Sequence, residues 1–385
     1  MRNISTQTIR LDSLTSLRFL AIMIVVVHHL RTLIGWGPKT GWGAVGVTFF
    51  FVLSGFVLTL NYQNIVTCTD AVSFLWRRFA RLYPLYLVTF IVSFFVIHFY
   101  NINLDTGIVS SLANLLLLQS WFSSSQIHFA YNSASWAVST LIFFYVIFVF
   151  IQSNFLRNFM VIFSLSLISL FISIKYIHSN NSSPIDIHWL LHMFPTNRIL
   201  VFLIGIILGK IYLQFRDRFS NASSFVASSS ELLLLLLIVD RLSTGILLNA
   251  IFRAVNSMLL LPPLLARQIV DIYILTPTLC GLLILVCSLQ RGAISRLLSY
   301  RTMVYLGEIS FAIYLSHQVI FRILSKMGFI TVIPLTFLAF AITFCISHLL
   351  YRFVEKPCSQ YLNRYPYIVS RLLDHKEPSG AGRKP

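Results

Sequence analysis

What this chain can fold into is set by its long apolar runs. They lie at Leu17–Ile34, Val45–Leu60, Leu82–Tyr100, Leu141–Gln152, Phe159–Ile174, Ile199–Leu213, Leu232–Leu248, Ile272–Leu289, Val304–Ile323 and Ile333–Phe353. Each approaches or reaches the roughly 20 residues that carry a helix across a hydrocarbon core about 30 Å thick. With 57% hydrophobic and 11% charged residues over 385 positions, there are far too few charges to coat a soluble globule of this size. Lipid excludes sheets with open edges, and no alternating barrel pattern appears. The expected fold is an all-α polytopic membrane helix bundle of about ten transmembrane helices.

The basic residues fall between the runs. A net charge of +17 would suggest nucleic acid in a soluble protein, but no groove-sized basic domain is present and no nucleic-acid partner is expected. The positive-inside rule uses the charges better. It places the N-terminus, Arg77, Arg78, Arg81, Arg157, Arg216, Arg218, Arg291, Arg296, Arg301, Arg352 and Lys356 on the cytoplasmic face. That arrangement requires Ile108–Trp121 not to cross. The stretch from Asn101 to Ser135, free of Lys and Arg, becomes an outer loop with a buried or interfacial segment. The first run follows Arg2 and Arg10 as a signal peptide would, yet it holds Arg18, His28 and His29 with no small-residue cleavage site after it, so it reads as a retained span. One integral-membrane domain is expected over 1–357, followed by a largely disordered cytoplasmic tail over 358–385. The five cysteines are odd in number and lack CxxC spacing, so neither a disulfide framework nor a metal site is expected.

Ionisable residues inside a span are costly and are functional candidates by default. Arg18 and His29 are 11 positions apart, which returns the helix to within about 20° of the same face. They would share one wall of a cavity, about 16 Å apart along the membrane normal. Alternatively, Arg18 snorkels to the inner headgroups and His28 and His29 bond carbonyls near the outer interface. Arg77, Arg78 and Arg81 suit bidentate phosphate binding, or serve only as a positive-inside anchor. Ser54, in Leu53-Ser54-Gly55, lines a cavity or is part of close helix packing. Arg198 binds an outer carboxylate or phosphate, or anchors at the interface. His317, near mid-membrane, is a catalytic or a satisfied core histidine. Glu355 pairs with Arg352 or with the basic inner surface.

Taken together these segments resemble the acyltransferase 3 family of membrane O-acyltransferases. The resemblance runs from Leu14-Thr15-Ser16-Leu17-Arg18 and the Arg18/His29 pair, through Phe49-Phe50-Phe51-Val52-Leu53-Ser54-Gly55-Phe56 and Arg77-Arg78-Phe79-Ala80-Arg81-Leu82-Tyr83-Pro84. It ends with Ile313-Tyr314-Leu315-Ser316-His317 and Phe353-Val354-Glu355-Lys356-Pro357. It implies an acyl-CoA donor, usually acetyl-CoA, and a hydroxyl acceptor on an extracytoplasmic glycan or glycolipid such as lipopolysaccharide O-antigen. On that reading Arg77, Arg78, Arg81 and Tyr83 hold the donor, and His29, with Arg18 and Ser54, performs the transfer. Trp136, Ser139, Arg198 and His317 face the acceptor. One departure stands out: where the family commonly reads Trp-Ser-Leu-Ser-x-Glu, this chain has Leu141 in place of the acid. Two rivals remain at this level, a flippase for a lipid-linked sugar and a catalytically inactive partner-binding member.

Overall fold

The computed structural model describes residues 9–34, 41–63, 65, 67–179, 183–219, 223–243, 245, 263–328 and 333–364. Among them there is no strand. The helices that matter below are α1 (Asp12–Ile34), α2 (Trp42–Asn61), α3 (Cys68–Phe99), α4 (Ile108–Leu115), α5 (Trp136–Ser153), α6 (Phe155–Ser179), α7 (Pro195–Phe219) and α8 (Ser224–Leu242). After these come α9 (Thr276–Ser288), α10 (Arg301–Glu308), α11 (Ser310–Lys326), α12 (Ile333–Leu350) and α13 (Lys356–Leu362). Eight helical segments among the described residues are long and apolar enough to cross a membrane, and α10 with α11, bent by 55° at Ile309, makes a ninth. The chain is a multi-pass helical membrane protein.

Two sequence expectations meet the structure differently. The stretch Ile108–Trp121 forms the 8-residue α4 followed by a 3-10 turn at Gln119–Trp121. At about 1.5 Å per residue such a helix covers less than half the hydrocarbon core, so, as the charge pattern required, it does not cross. The seventh apolar run, Leu232–Leu248, enters α8 as far as Leu242, and 244 and 246–248 lie outside the described residues; α8 contains Glu231, Asp240 and Arg241 and is not among the membrane-length apolar helices. Its charges have structural partners. Glu231, fully buried, accepts from the backbone N–H groups of Ile294 (2.9 Å) and Ser295 (3.3 Å), capping the short helix Ala293–Leu298. Arg241 pairs with Asp271.

Small residues set the closest contacts. A Cβ on Gly205 would lie 2.0 Å from the Val52 carbonyl oxygen, and one on Gly55 would lie 2.3 Å from that of Phe202. The α2 and α7 backbones therefore touch, as helices in lipid do when small residues face each other. Likewise a Cβ on Gly46 would meet Ala21 O at 2.5 Å, and one on Gly307 would meet Thr15 O at 2.0 Å. These contacts lock α1, α2, α7 and α10 into one frame.

α3 begins with a capping box: Thr67 Oγ1 accepts from Asp70 N (3.1 Å) and Asp70 Oδ2 accepts from Thr67 N (3.0 Å). This start fixes the rotational setting of Arg77, Arg78 and Arg81. At the other end of the chain the bundle continues past Pro357 as α13, and Trp76 Nε1 donates to Leu362 O at 2.8 Å. The rest of the expected tail, 365–385, lies outside the described residues.

Candidate functional site

Two polar regions flank α1, one at each end. At the Arg18 end is a cavity of about 490 Å³, whose lining includes Arg18, Ser54, Arg78, Arg81, Tyr145 and Glu355. That volume is within the usual range for small-molecule sites. Arg78 and Arg81, three positions apart in α3, share a helix face, and both reach the cavity. Arg77, about 100° around the helix, is exposed and does not line it. Arg78 donates through Nη2 to the Tyr62 hydroxyl, lies 4.8 Å from the Tyr62 ring centre, and keeps a buried Nε with no partner. Glu355, 4% exposed, is within electrostatic reach of Arg81 and Arg18, and its Oε2 is unpaired. It sits on the π-helical turn Tyr351–Glu355, which turns it into the cavity. Neither Tyr62 nor Tyr145 was singled out in the sequence; only their neighbourhood to the arginine motif in space reveals them.

Tyr83, expected beside the donor, is placed elsewhere: its hydroxyl donates to Leu115 O at 3.2 Å, and its ring stacks on Phe79 at 4.4 Å. Together with Tyr86, whose hydroxyl donates to Asn114 O at 2.6 Å, it fastens α4 to α3. Trp136 packs edge-on against Phe51, 6.3 Å between centres, and Ser139 shares a 2.7 Å hydrogen bond with Ser120. Ser139 thus holds the turn after α4. Leu141, which stands in place of the family's acid, does line the cavity, so the wall there is apolar.

At the opposite end of α1 the histidines gather. The His29 and His317 rings are 5.3 Å apart between centres, and His28 is 5.3 Å from His29. His317 is fully buried. Its Nδ1 is 2.6 Å from Tyr314 O and 3.2 Å from Ile313 O, and two carbonyls require a donor there, so Nδ1 carries the proton. The lone pair is then on Nε2, which is buried and has no partner. That is the tautomer a general base needs. The sequence named both histidines but gave no sign that they meet. Nearby, and outside the spans, His128 has Nδ1 3.1 Å from Phe122 O; burial lowers its pKa, against the raising effect of that carbonyl.

Arg18 and His29, expected to share one cavity wall, do not: among the described residues the cavity at the Arg18 end stops short of the imidazoles. His29 is absent from the cavity wall, whose lining includes Phe50 and Phe311. Phe50 is 6.3 Å from Tyr314, and Tyr314 is 6.0 Å from His317. A chain of aromatic contacts therefore runs from the cavity wall to the imidazoles. Arg198 stands apart from the cavity, buried against Thr48 and Phe51. Among the described residues no group of three or more His, Cys, Asp or Glu could hold a metal ion.

A family model described as an acyltransferase domain, that of acyltransferase 3, matches residues 11–352. "Acyltransferase MdmB" of Streptomyces mycarofaciens is 34% identical over 155 residues, 37% of this chain and 39% of that protein. The match thus spans well under half of that relative's length. No solved structure matches the chain.

Proposed function

Since the chain belongs to the acyltransferase 3 family and is a membrane acyltransferase, we propose that it moves an acyl group, acetyl in the simplest case, from cytoplasmic acyl-CoA to a hydroxyl of an extracytoplasmic glycan or glycolipid. The observation that carries this reading is a cavity lined by Arg18, Arg78 and Arg81 at one end of α1, with paired imidazoles at the other. These guanidiniums, of which Arg78 keeps a buried Nε without a partner, suit the phosphates of CoA. The pantetheine arm would extend from Arg78 and Arg81 past Ser54 and Arg18 towards Phe50. The Phe50–Tyr314 contact would then have to open for the thioester to reach the histidines.

At that point His29 or His317 would take the proton of the acceptor hydroxyl as its oxygen attacks the thioester carbonyl. The new C–O bond forms, the C–S bond breaks, and the imidazolium returns the proton to the departing CoA thiolate. Proximity of the two rings allows one to serve as base while the other orients it or the acceptor. An N-terminus and C-terminus on the cytoplasmic side of the inner membrane follow from this polarity and from the basic loops.

Donor binding provides the test. Arg78→Ala and Arg81→Ala are expected to weaken CoA binding about 10-fold or more each, as loss of a hydrogen bond to a charged group costs about 1.5–3 kcal/mol, whereas Arg77→Ala should leave it near wild type. Equal effects of all three, or none, measured by calorimetry on the detergent-purified protein, would reduce the cluster to a topology anchor. Radiolabelled acyl transfer from CoA to an extracted glycan separates this activity from that of a flippase, which makes no labelled covalent product.

A further inference from the structure

Arg198 carries a charge that the chain itself does not answer. It is in the first turn of α7 and is 1% exposed. Nη2 donates to Thr48 Oγ1 at 2.7 Å, and the guanidinium carbon is 5.3 Å from the centre of the Phe51 ring. Nε and Nη1 are buried without a hydrogen-bond partner. No carboxylate acts on it; Tyr273 is the acidic group within its electrostatic reach. Outside the described residues only the C-terminal tail holds carboxylates, Asp374 and Glu377; every other Asp and Glu of the chain lies among the described residues.

A guanidinium cannot shed its proton to escape burial, and an unpaired buried charge costs several kcal/mol after relaxation. One hydroxyl and an aromatic face recover only part of that. The neighbours add no negative charge: His188 and His192, stacked at 4.9 Å, are both within electrostatic reach of Arg198. His188 is also within reach of His28, which joins this neighbourhood to the His29–His317 end of the bundle.

We propose that Arg198, with Thr48, is the subsite for an oxyanion, a carboxylate or phosphate, carried by the acceptor. Attribution of the anion to the acceptor rests on the function proposed above; the binding of an anion does not. The planar fork of the guanidinium matches either group, and an anion there offsets the cost of burying Nε and Nη1 without partners.

The test is thermal unfolding of the purified full-length protein in phosphatidylcholine nanodiscs, with glucuronate, inorganic phosphate or glucose added, and in a parallel arm with phosphatidylglycerol in the disc. Glucuronate or phosphate is expected to raise Tm and glucose to leave it unchanged. A rise with phosphatidylglycerol alone would identify a lipid headgroup as the anion's source, and a rise with the soluble acids would identify the acceptor. In Arg198→Met the anion-dependent rise should vanish while Tm without anion equals or exceeds that of wild type, because a buried unpaired charge has been removed. Thr48→Val should weaken the anion response without removing it. Two results would overturn the proposal: an anion response the same in Arg198→Met as in wild type, or no response to any anion together with a lowered Tm in Arg198→Met, which would make the arginine a packing residue. CoA binding measured on the same discs reports the distant cavity separately, so failure of the anion subsite and failure of the donor site are distinguishable.

Discussion

His29→Ala is expected to lower acyl transfer by about 10²–10⁴-fold, the usual contribution of a positioned general base, while CoA binding stays at the wild-type value. The separation follows from position: His29 lies 11 residues beyond Arg18 on α1, about 16 Å along the helix, and is not in the wall of the arginine-lined cavity. His317→Ala tests the other ring. If the two imidazoles act as a unit, the double variant should lose little more than the worse single one, since residues that work together are strongly non-additive. Full activity in both single variants would remove the pair from the mechanism. The assay is transfer of labelled acetyl from acetyl-CoA, with CoA affinity measured on the same preparation.

The second large effect concerns the frame. Gly205→Val is expected to destabilise the bundle by about 3 kcal/mol or more, above the usual 1–3 kcal/mol of overpacking, because the added carbon would meet the Val52 carbonyl at 2.0 Å. A backbone atom cannot rotate away as a side-chain tip can, so α2 and α7 must part along their crossing. Gly41→Ala is the matching control. No described residue lies within 4 Å of its added carbon, and because Gly41 is the N-cap of α2 the change should cost no more than about 1 kcal/mol. Thermal unfolding in one detergent compares the two. A Gly205→Val protein as stable as wild type would mean that the helices are not in contact there.

Much of the fold was legible because lipid permits so few solutions. Apolar runs of sufficient length had to be helices, and the basic connectors together with the 101–135 stretch, free of Lys and Arg, required α4 to stop short of crossing. α8 was harder to read, since the sequence does not reveal that Glu231 turns inward to cap a helix more than 60 positions away. Helix phase could have sorted the arginines: Arg78 and Arg81 share a face and Arg77 does not. By contrast, the His29–His317 contact joins α1 to α11 across nearly the whole chain, and no local pattern encodes which helices become neighbours. The placement of Tyr83 was not legible, because a motif position says nothing of rotamer; its hydroxyl donates to Leu115 O. Leu141 stood out in the sequence as a missing acid; its place in the cavity wall turns that absence into a local loss of polarity in the cavity that Arg18 lines.

The proposed transfer requires acyl-CoA to occupy the cavity around Arg18. The direct measurement is the rate at which a small thiol reagent modifies Ser54→Cys, in a background where the accessible Cys68, Cys345 and Cys358 are replaced by serine. Ser54 is in the cavity wall, so saturating CoA is expected to slow the modification about 10-fold or more, the occupancy effect of a ligand well above its Kd, and the added Arg78→Ala change should remove most of that protection. An unchanged modification rate at every CoA concentration would show that the donor does not enter there.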